Sequence, residues 1–334
     1  MNSTVMTLHT AELNSYRILQ KDGQTPPCPM PKFYLGVKEE SESILGYIIM
    51  EDLTDQVATV RPADDLSLGQ ARSVCDAVVD LQAYILSLPE EQWYPQFTGR
   101  PFDIDFLLIY ERTWKRCMSK IVELKPGFYD SDLIEKVAFI FDFDLLMNTL
   151  TYFKENSGQR VVLVHNDLWA NNMLFQKEHG LASDKFVAFV DWQLATDGSA
   201  VTDLGRMMIY CMNGEVRRRE TSNLLKYYYS SLKAKLAQKG LQCPYTFDEI
   251  ELAYVLQFPF SVAFFSYVVE VIHKKAEESG GPEALERVER VHDRFKLMCE
   301  DVVAIRHKIP DKYFRPVARR QASAGSGSNE SASC

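Results

Sequence analysis

The chain alternates between long stretches with helical spacing of apolar residues and short apolar runs of strand length. Residues 8–20 place Leu8, Leu13, Tyr16, Ile18 and Leu19 among polar neighbours, which predicts a helix. The proline-rich "DGQTPPCPMPKFYLG" breaks it. "KFYLGV" and "ILGYIIM" follow as two strands separated by the polar "KEESES", and "EDLTDQ" closes the pair. From Leu66 to about Leu88 the spacing turns helical through Leu68, Ala71, Val74, Val78, Leu81 and Ile85. It recurs over 104–123, 131–154, 200–212, 220–238, 248–275 and 282–305. Between these, 161–164, 173–175 and 186–190 read as short strands. "NNMLF" and "KFVAFVDW" have the pattern of a hairpin, joined by "QKEHGLASD" as a long polar loop.

This order predicts an α+β fold. A small strand-bearing N-terminal piece, 1–55, precedes a larger and mostly helical piece, 56–317, with a hairpin embedded in it. The tail, 318–334, reads "ARRQASAGSGSNESASC" and is expected to be disordered, because it has too little apolar surface to bury.

Composition narrows the picture. Of 334 residues, 46% are apolar, enough for a large core. The net charge is −9 with no dense basic stretch, so no nucleic-acid partner is expected. The seven cysteines are scattered and none forms a CxxC pair, which argues against a zinc knuckle or a disulfide framework and for a reducing, cytoplasmic setting. The first residues have neither the basic start nor the apolar run of a signal peptide. Residues 252–272 are long enough to cross a bilayer. Gln257, Pro259 and Glu270 interrupt them, so a buried core helix is expected rather than a membrane span.

The candidate chemistry sits in "VLVHNDLWANNMLF", residues 162–175. Asn172 starts the first strand of the embedded hairpin and Asp191 ends the second, so antiparallel pairing brings them to one end. Asp167, five residues before Asn172, leads into the same end. Two carboxylates and an amide oxygen form a hard donor set suited to Mg²⁺, which leaves coordination places for phosphate oxygens. Taken singly, such residues at strand ends are more often turn formers or caps. Three at this spacing, with His165 beside them, favour a site. No GxSxG elbow or HExxH pair points to a serine or zinc hydrolase.

"HNDLWANNMLF…FVDWQ…TDLGR" resembles the choline kinase–aminoglycoside phosphotransferase superfamily, relatives of the protein kinases. "HNDLWANN", "VDWQ", "LQAYILSLPEE" and "GYIIMEDL" resemble its CHK kinase-like branch, which includes ecdysteroid-kinase-like proteins. The resemblance runs from about Glu12 to about Phe314. It implies a two-lobe, protein-kinase-like fold and transfer of a phosphoryl group from ATP, with Mg²⁺, to a hydroxyl of a small molecule. Asp167 then corresponds to the residue that accepts the hydroxyl proton, and Asn172 and Asp191 to the metal ligands. His165 and Asp203 correspond to residues that hold the loop, and Trp169 to one lining the acceptor site. Met50 would lie behind the adenine, with the Glu51 carbonyl and Leu53 N–H reading its edge. Glu12 corresponds to the helix glutamate that pairs with a phosphate-binding lysine.

The pattern departs from the family at its start. The family places a phosphate loop and a lysine-bearing strand before the Glu12 helix, but "MNSTVMT" supplies neither, and no GxGxxG or GxxxxGK occurs. The N-terminal β lobe is therefore expected to be truncated, catalysis by this chain impaired, and the open sheet edge ready for a partner strand. Two other readings stay open: a catalytically inactive pseudokinase acting as a binding or regulatory module, and a metal-dependent phosphoester hydrolase using the same residues. The acceptor is not fixed by the sequence. "FPFSVAFFSY" at 258–267 suits an apolar acceptor such as a sterol-like alcohol, and suits core packing as well.

Overall fold

The computed structural model describes residues 3–21, 25–38, 46–97 and 104–317. The tail at 318–334 and most of the "KEESES" turn lie outside the described residues. The chain is α+β, with small sheets and a large helical part, as expected.

Helix α1 (Ser3–Leu19) buries Leu13, Tyr16, Ile18 and Leu19. It lies against an antiparallel hairpin of β1 (Phe33–Val37) and β2 (Tyr47–Met50), whose register shifts between Phe33 and Leu35. Tyr16 stacks on Phe33 with ring centroids 5.4 Å apart. Polar side chains of the helix and the residues just after it occupy the outer edge of β1. Gln20 accepts the Phe33 N–H (2.8 Å) and donates to the Pro31 carbonyl (2.6 Å), Arg17 donates to the Gly36 carbonyl (3.2 Å), and His9 Nε2 meets the Val37 carbonyl (2.9 Å). Among the described residues the outer edge of β2 has no partner strand, and Tyr47 and Ile49 remain about half exposed.

The chain then passes through a turn closed on the Leu53 carbonyl to β3 (Val57–Ala58), a strand the apolar pattern did not reveal. Helix α2 (Leu68–Ser87) starts on a capping box, in which Ser67 accepts the Gln70 N–H while the Gln70 side chain takes the Ser67 N–H. The predicted positions Ala71, Val74, Val78, Leu81 and Ile85 are all buried. Helix α3 (Ile104–Leu124) buries Trp114, whose ring packs edge-on against Phe260 at 5.6 Å.

One long helix over 131–154 is not found. The segment divides into α4 (Ser131–Val137), α5 (Phe143–Leu146), a π turn and α6 (Phe153–Ser157). Asp142 causes the main break: its backbone is extended and its side chain caps the Leu145 N–H at 2.8 Å, restarting the helix.

Next come β4 (Val162–Val164), β5 (Met173–Glu178), β6 (Leu181–Phe189) and β7 (Thr196–Gly198). β3, β5 and β6 form one antiparallel sheet, and β4 pairs with β7. The long loop expected in the hairpin is in fact mostly strand. His179 and Gly180, both at positive φ (52° and 81°), make a two-residue turn whose twist matches the strands.

Four α-helices follow among the described residues: α7 (Thr202–Cys211), α8 (Gly214–Gln238), α9 (Phe247–Ser279) and α10 (Pro282–Ile305). Helix α8 starts six residues before its predicted position because Asn213 caps the N–H groups of Glu215 and Val216. Helix α9 is long and apolar enough to cross a membrane, yet 67% of its most apolar window is buried inside the protein. It lies among α3, α7, α8 and α10, as a core helix would.

Candidate active site

All three residues of β4 are buried, so the loop that follows starts from a fixed base. His165 is 1% exposed. Its Nδ1 accepts the Asp167 N–H (3.3 Å), so its Nε2 carries the proton that meets the Val190 carbonyl (2.9 Å). Burial lowers its pKa to about 4, keeping the ring neutral. Asn166 takes a left-handed backbone (φ 64°), and its side chain donates to the Leu194 carbonyl.

Asp203 is fully buried in the first turn of α7 and accepts the backbone N–H groups of His165 and Asn166, both at 2.8 Å. These bonds clamp the start of the loop. Burial still pushes its carboxyl up to about 6, with the two N–H donors and Arg206 opposing.

Asp167 and Asn172 are tied together. Asn172 Nδ2 donates to the Asp167 carbonyl (2.9 Å) and carboxylate (3.1 Å). The carbonyl can only accept, so the amide nitrogen must face this way and Oδ1 remains available as an acceptor. Burial raises the Asp167 carboxyl to about 6; Arg206 pulls it down, while Asp191 pushes it further up.

Asp191 comes from the other strand of the hairpin. Val190 donates to the Asn172 carbonyl (3.2 Å), which places Asp191 next to the Asn172 end. Its backbone is left-handed (φ 66°, ψ 66°), and Gln193 Nε2 donates to its carboxylate at 3.2 Å. Burial raises its pKa. Glu12 reaches the same turn from α1, which packs against residues 192–194, and its carboxylate lies near the Trp192 N–H and Asp191. Burial first, then Asp191, raises the Glu12 pKa. Among the described residues no lysine partners Glu12.

The structure thus brings Asp167, Asn172, Asp191, His165, Asp203 and Glu12 to one place. Met50, Glu51 and Leu53 lie on β2 and the segment after it, and their hydrogen bonds stay local. Met50 Sδ meets the Tyr16 hydroxyl, Glu51 bonds to the Lys32 backbone through its N–H and carboxylate, and the Leu53 carbonyl closes its turn. Trp169 is half-buried and, with Asn171, lines a cavity against α9 and α10.

Arg206 escaped the sequence reading, although it ends the "TDLGR" motif. It is 2% exposed, lies over the Phe260 ring at 5.1 Å, and has no hydrogen-bond partner for Nε or Nη2. Asp167 and Asp203 supply its counter-charge.

The chain belongs to the family described as "DUF1679: Uncharacterized oxidoreductase dhs-27", matched over residues 1–309. It is 26% identical over 250 residues to the Caenorhabditis elegans protein named "Uncharacterized oxidoreductase dhs-27", covering 74% of this chain and 30% of that protein. It is 25% identical over 236 residues to the "Uncharacterized kinase-like protein D1044.1" of the same organism, covering 70% of this chain and 58% of that protein. The chain therefore spans well under two thirds of either relative. Among solved structures it is similar to choline kinase from Cryptosporidium parvum Iowa II (14% identity, TM-score 0.46, 92% of this chain and 80% of that one). It is also similar to the GDP complex of wild-type aminoglycoside 2'-phosphotransferase-IIIa (12% identity, TM-score 0.44, 87% and 83%). Both likenesses are ones of outline at low identity.

Proposed function

We propose that this chain carries the acceptor and metal side of a phosphotransferase that moves the γ-phosphoryl group of ATP to a hydroxyl of a small molecule, with Mg²⁺. The observation that carries the reading is the convergence of Asp167, Asn172 and Asp191 on one loop and hairpin end, with Asp203 and His165 holding the loop. Asp167 would orient the acceptor hydroxyl and take its proton.

Asn172 Oδ1 and the Asp191 carboxylate fit Mg²⁺. Both are hard oxygen donors, and the amide is already turned so that its oxygen is available. When bound, the metal supplies charge neutralisation at the phosphates. Arg206 stays buried behind the loop and offsets part of the carboxylate charge there. Met50, Glu51 and Leu53 are the proposed adenine contacts, and cytoplasmic placement is proposed from the scattered free thiols.

One observation favours a weaker, binding-type role for these 334 residues assayed alone. Glu12 lies beside the turn after Asp191, and among the described residues no lysine pairs with it to receive the phosphates. Phosphoryl transfer depends chiefly on positioning and charge stabilisation, so turnover is expected to suffer more than nucleotide affinity.

The test is ADP formation by the full chain with Mg²⁺, ATP and a panel of hydroxyl compounds, products being identified by mass spectrometry. Phosphorylated product that disappears in Asp167→Ala supports the reading. Nucleotide binding without product from any acceptor favours the binding module. Turnover that persists in Asp167→Ala sinks the assignment.

A further inference from the structure

We propose that the cavity lined by Trp169 and Asn171 receives an acceptor with an apolar body and a negatively charged group, its hydroxyl directed toward Asp167. This deepens the phosphotransferase reading and rests on it for the identity of the reacting group.

The cavity holds about 430 Å³, within the range of small-molecule sites. Trp169 and Asn171 form its inner wall, and both lie between Asp167 and Asn172 on the loop. A ligand seated there has its near end within a few residues of the candidate base. Tyr267, Val268, Val271 and Ile272 make the floor on one face of α9, and Tyr267 is 46% exposed. So much accessible apolar surface suits a ligand with an apolar body.

The charge of the lining points to the ligand's sign. The protein carries a net charge of −9, yet every charged residue lining this cavity is basic: Arg61, Lys275 and Arg287. The arginines are matched by carboxylates: Glu283 Oε1 takes both Arg61 and Arg287, Asp64 takes both Arg61 and Arg290, and Glu286 takes Arg290. Lys275 has no carboxylate partner among the described residues. The ammonium of Lys275 is therefore the charge at this rim that no carboxylate of the described residues neutralises. A cationic acceptor would meet repulsion here, a neutral one no reward, and an anionic one a free ammonium.

Three probes share one body and differ in one end: 12-hydroxydodecanoate, 1,12-dodecanediol and 12-amino-1-dodecanol. Their affinities for the full chain would be measured by calorimetry without nucleotide. The hydroxy acid is expected to bind at least tenfold more tightly than the other two. Lys275→Gln should remove that preference with the thermal midpoint unchanged, and Ala276→Phe, which fills the cavity, should weaken all three. Equal binding of the three, tighter binding of the amino alcohol, or a preference that survives Lys275→Gln would overturn the proposal. The outcome separates from that of the function above. A charge preference with no phosphorylated product leaves the cavity reading standing and removes the phosphotransferase reading. Asp167-dependent turnover on some acceptor with none of the three probes bound does the reverse.

Discussion

Asp203 offers a sharp test of how the loop is held, because its two opposing contributions have different pH dependence. Asp203→Ala strands the N–H groups of His165 and Asn166, both bonded at 2.8 Å in a site with no exposure. Two buried donors left without partners cost roughly 2–6 kcal/mol. Against this, the wild-type carboxylate bears a burial penalty. Its pKa stands near 6 instead of 3.8, so ionising it in the folded state costs about 3 kcal/mol more than in the unfolded chain. The sign follows from the raised pKa. The contribution of Asp203 is full at low pH and is eroded as pH rises through about 6, while the alanine variant has no such term. The variant should therefore lose about 3 kcal/mol near pH 5 and roughly half as much near pH 8. Urea unfolding followed by tryptophan fluorescence at both pH values gives the two differences. A loss below about 0.5 kcal/mol at both, or one that grows with pH, would refute the clamp as described.

Asp167→Ala should abolish turnover on any acceptor that is found, while the thermal midpoint moves by less than about 2 °C, since the carboxylate removed is itself penalised by burial. A midpoint that falls as far as in Asp203→Ala would mean that Asp167 is structural. Trp114→Ala should cost about 3–5 kcal/mol in urea unfolding, because a fully buried ring packed on Phe260 and Phe264 leaves a cavity. His292 is buried between the Tyr129 hydroxyl (2.6 Å) and His273 (2.9 Å), and burial, with His273 and Lys125, lowers its pKa to about 4. The unfolded chain takes up a proton that folded His292 refuses, so stability should fall as pH drops from about 6.5 toward 4. His292→Gln should flatten that part of the thermal-midpoint profile; parallel profiles would count against it.

The sequence made legible those features whose causes are local. The bounds of α2, α3 and α10 follow from apolar spacing, reinforced by the Ser67–Gln70 box before α2 and by Gly281–Pro282 at the start of α10. The interruption at Asp142 was missed because a capping aspartate within an apolar pattern looks like one polar position among many. β3 and β7 span two and three residues and exist only through pairing with β5 and β4, which no local pattern encodes. The outer halves of β5 and β6 are polar because they face water, so they read as loop. The meeting of Asn172 with Asp191 was legible because antiparallel register dictates it. Arg206 was not. A charged side chain on a helix reads as solvated until the packing of α9 buries it.

The packing of α1 against the turn that follows Asp191 gives the first helix a say in the geometry of the proposed metal ligand. Asp191 occupies a left-handed backbone conformation that a non-glycine residue holds only when its surroundings insist. Gln193 holds its carboxylate from one side, and α1 braces the next peptide from the other. A shortened clone starting beyond α1 would keep every residue from His165 to Asp203 and still release that peptide. Its Asp191 would be free to relax, and the affinity expected of the proposed Mg²⁺ site would fall with none of the proposed ligands changed. Trimming or tagging near Ser3–Leu19 is therefore an intervention at the proposed metal site.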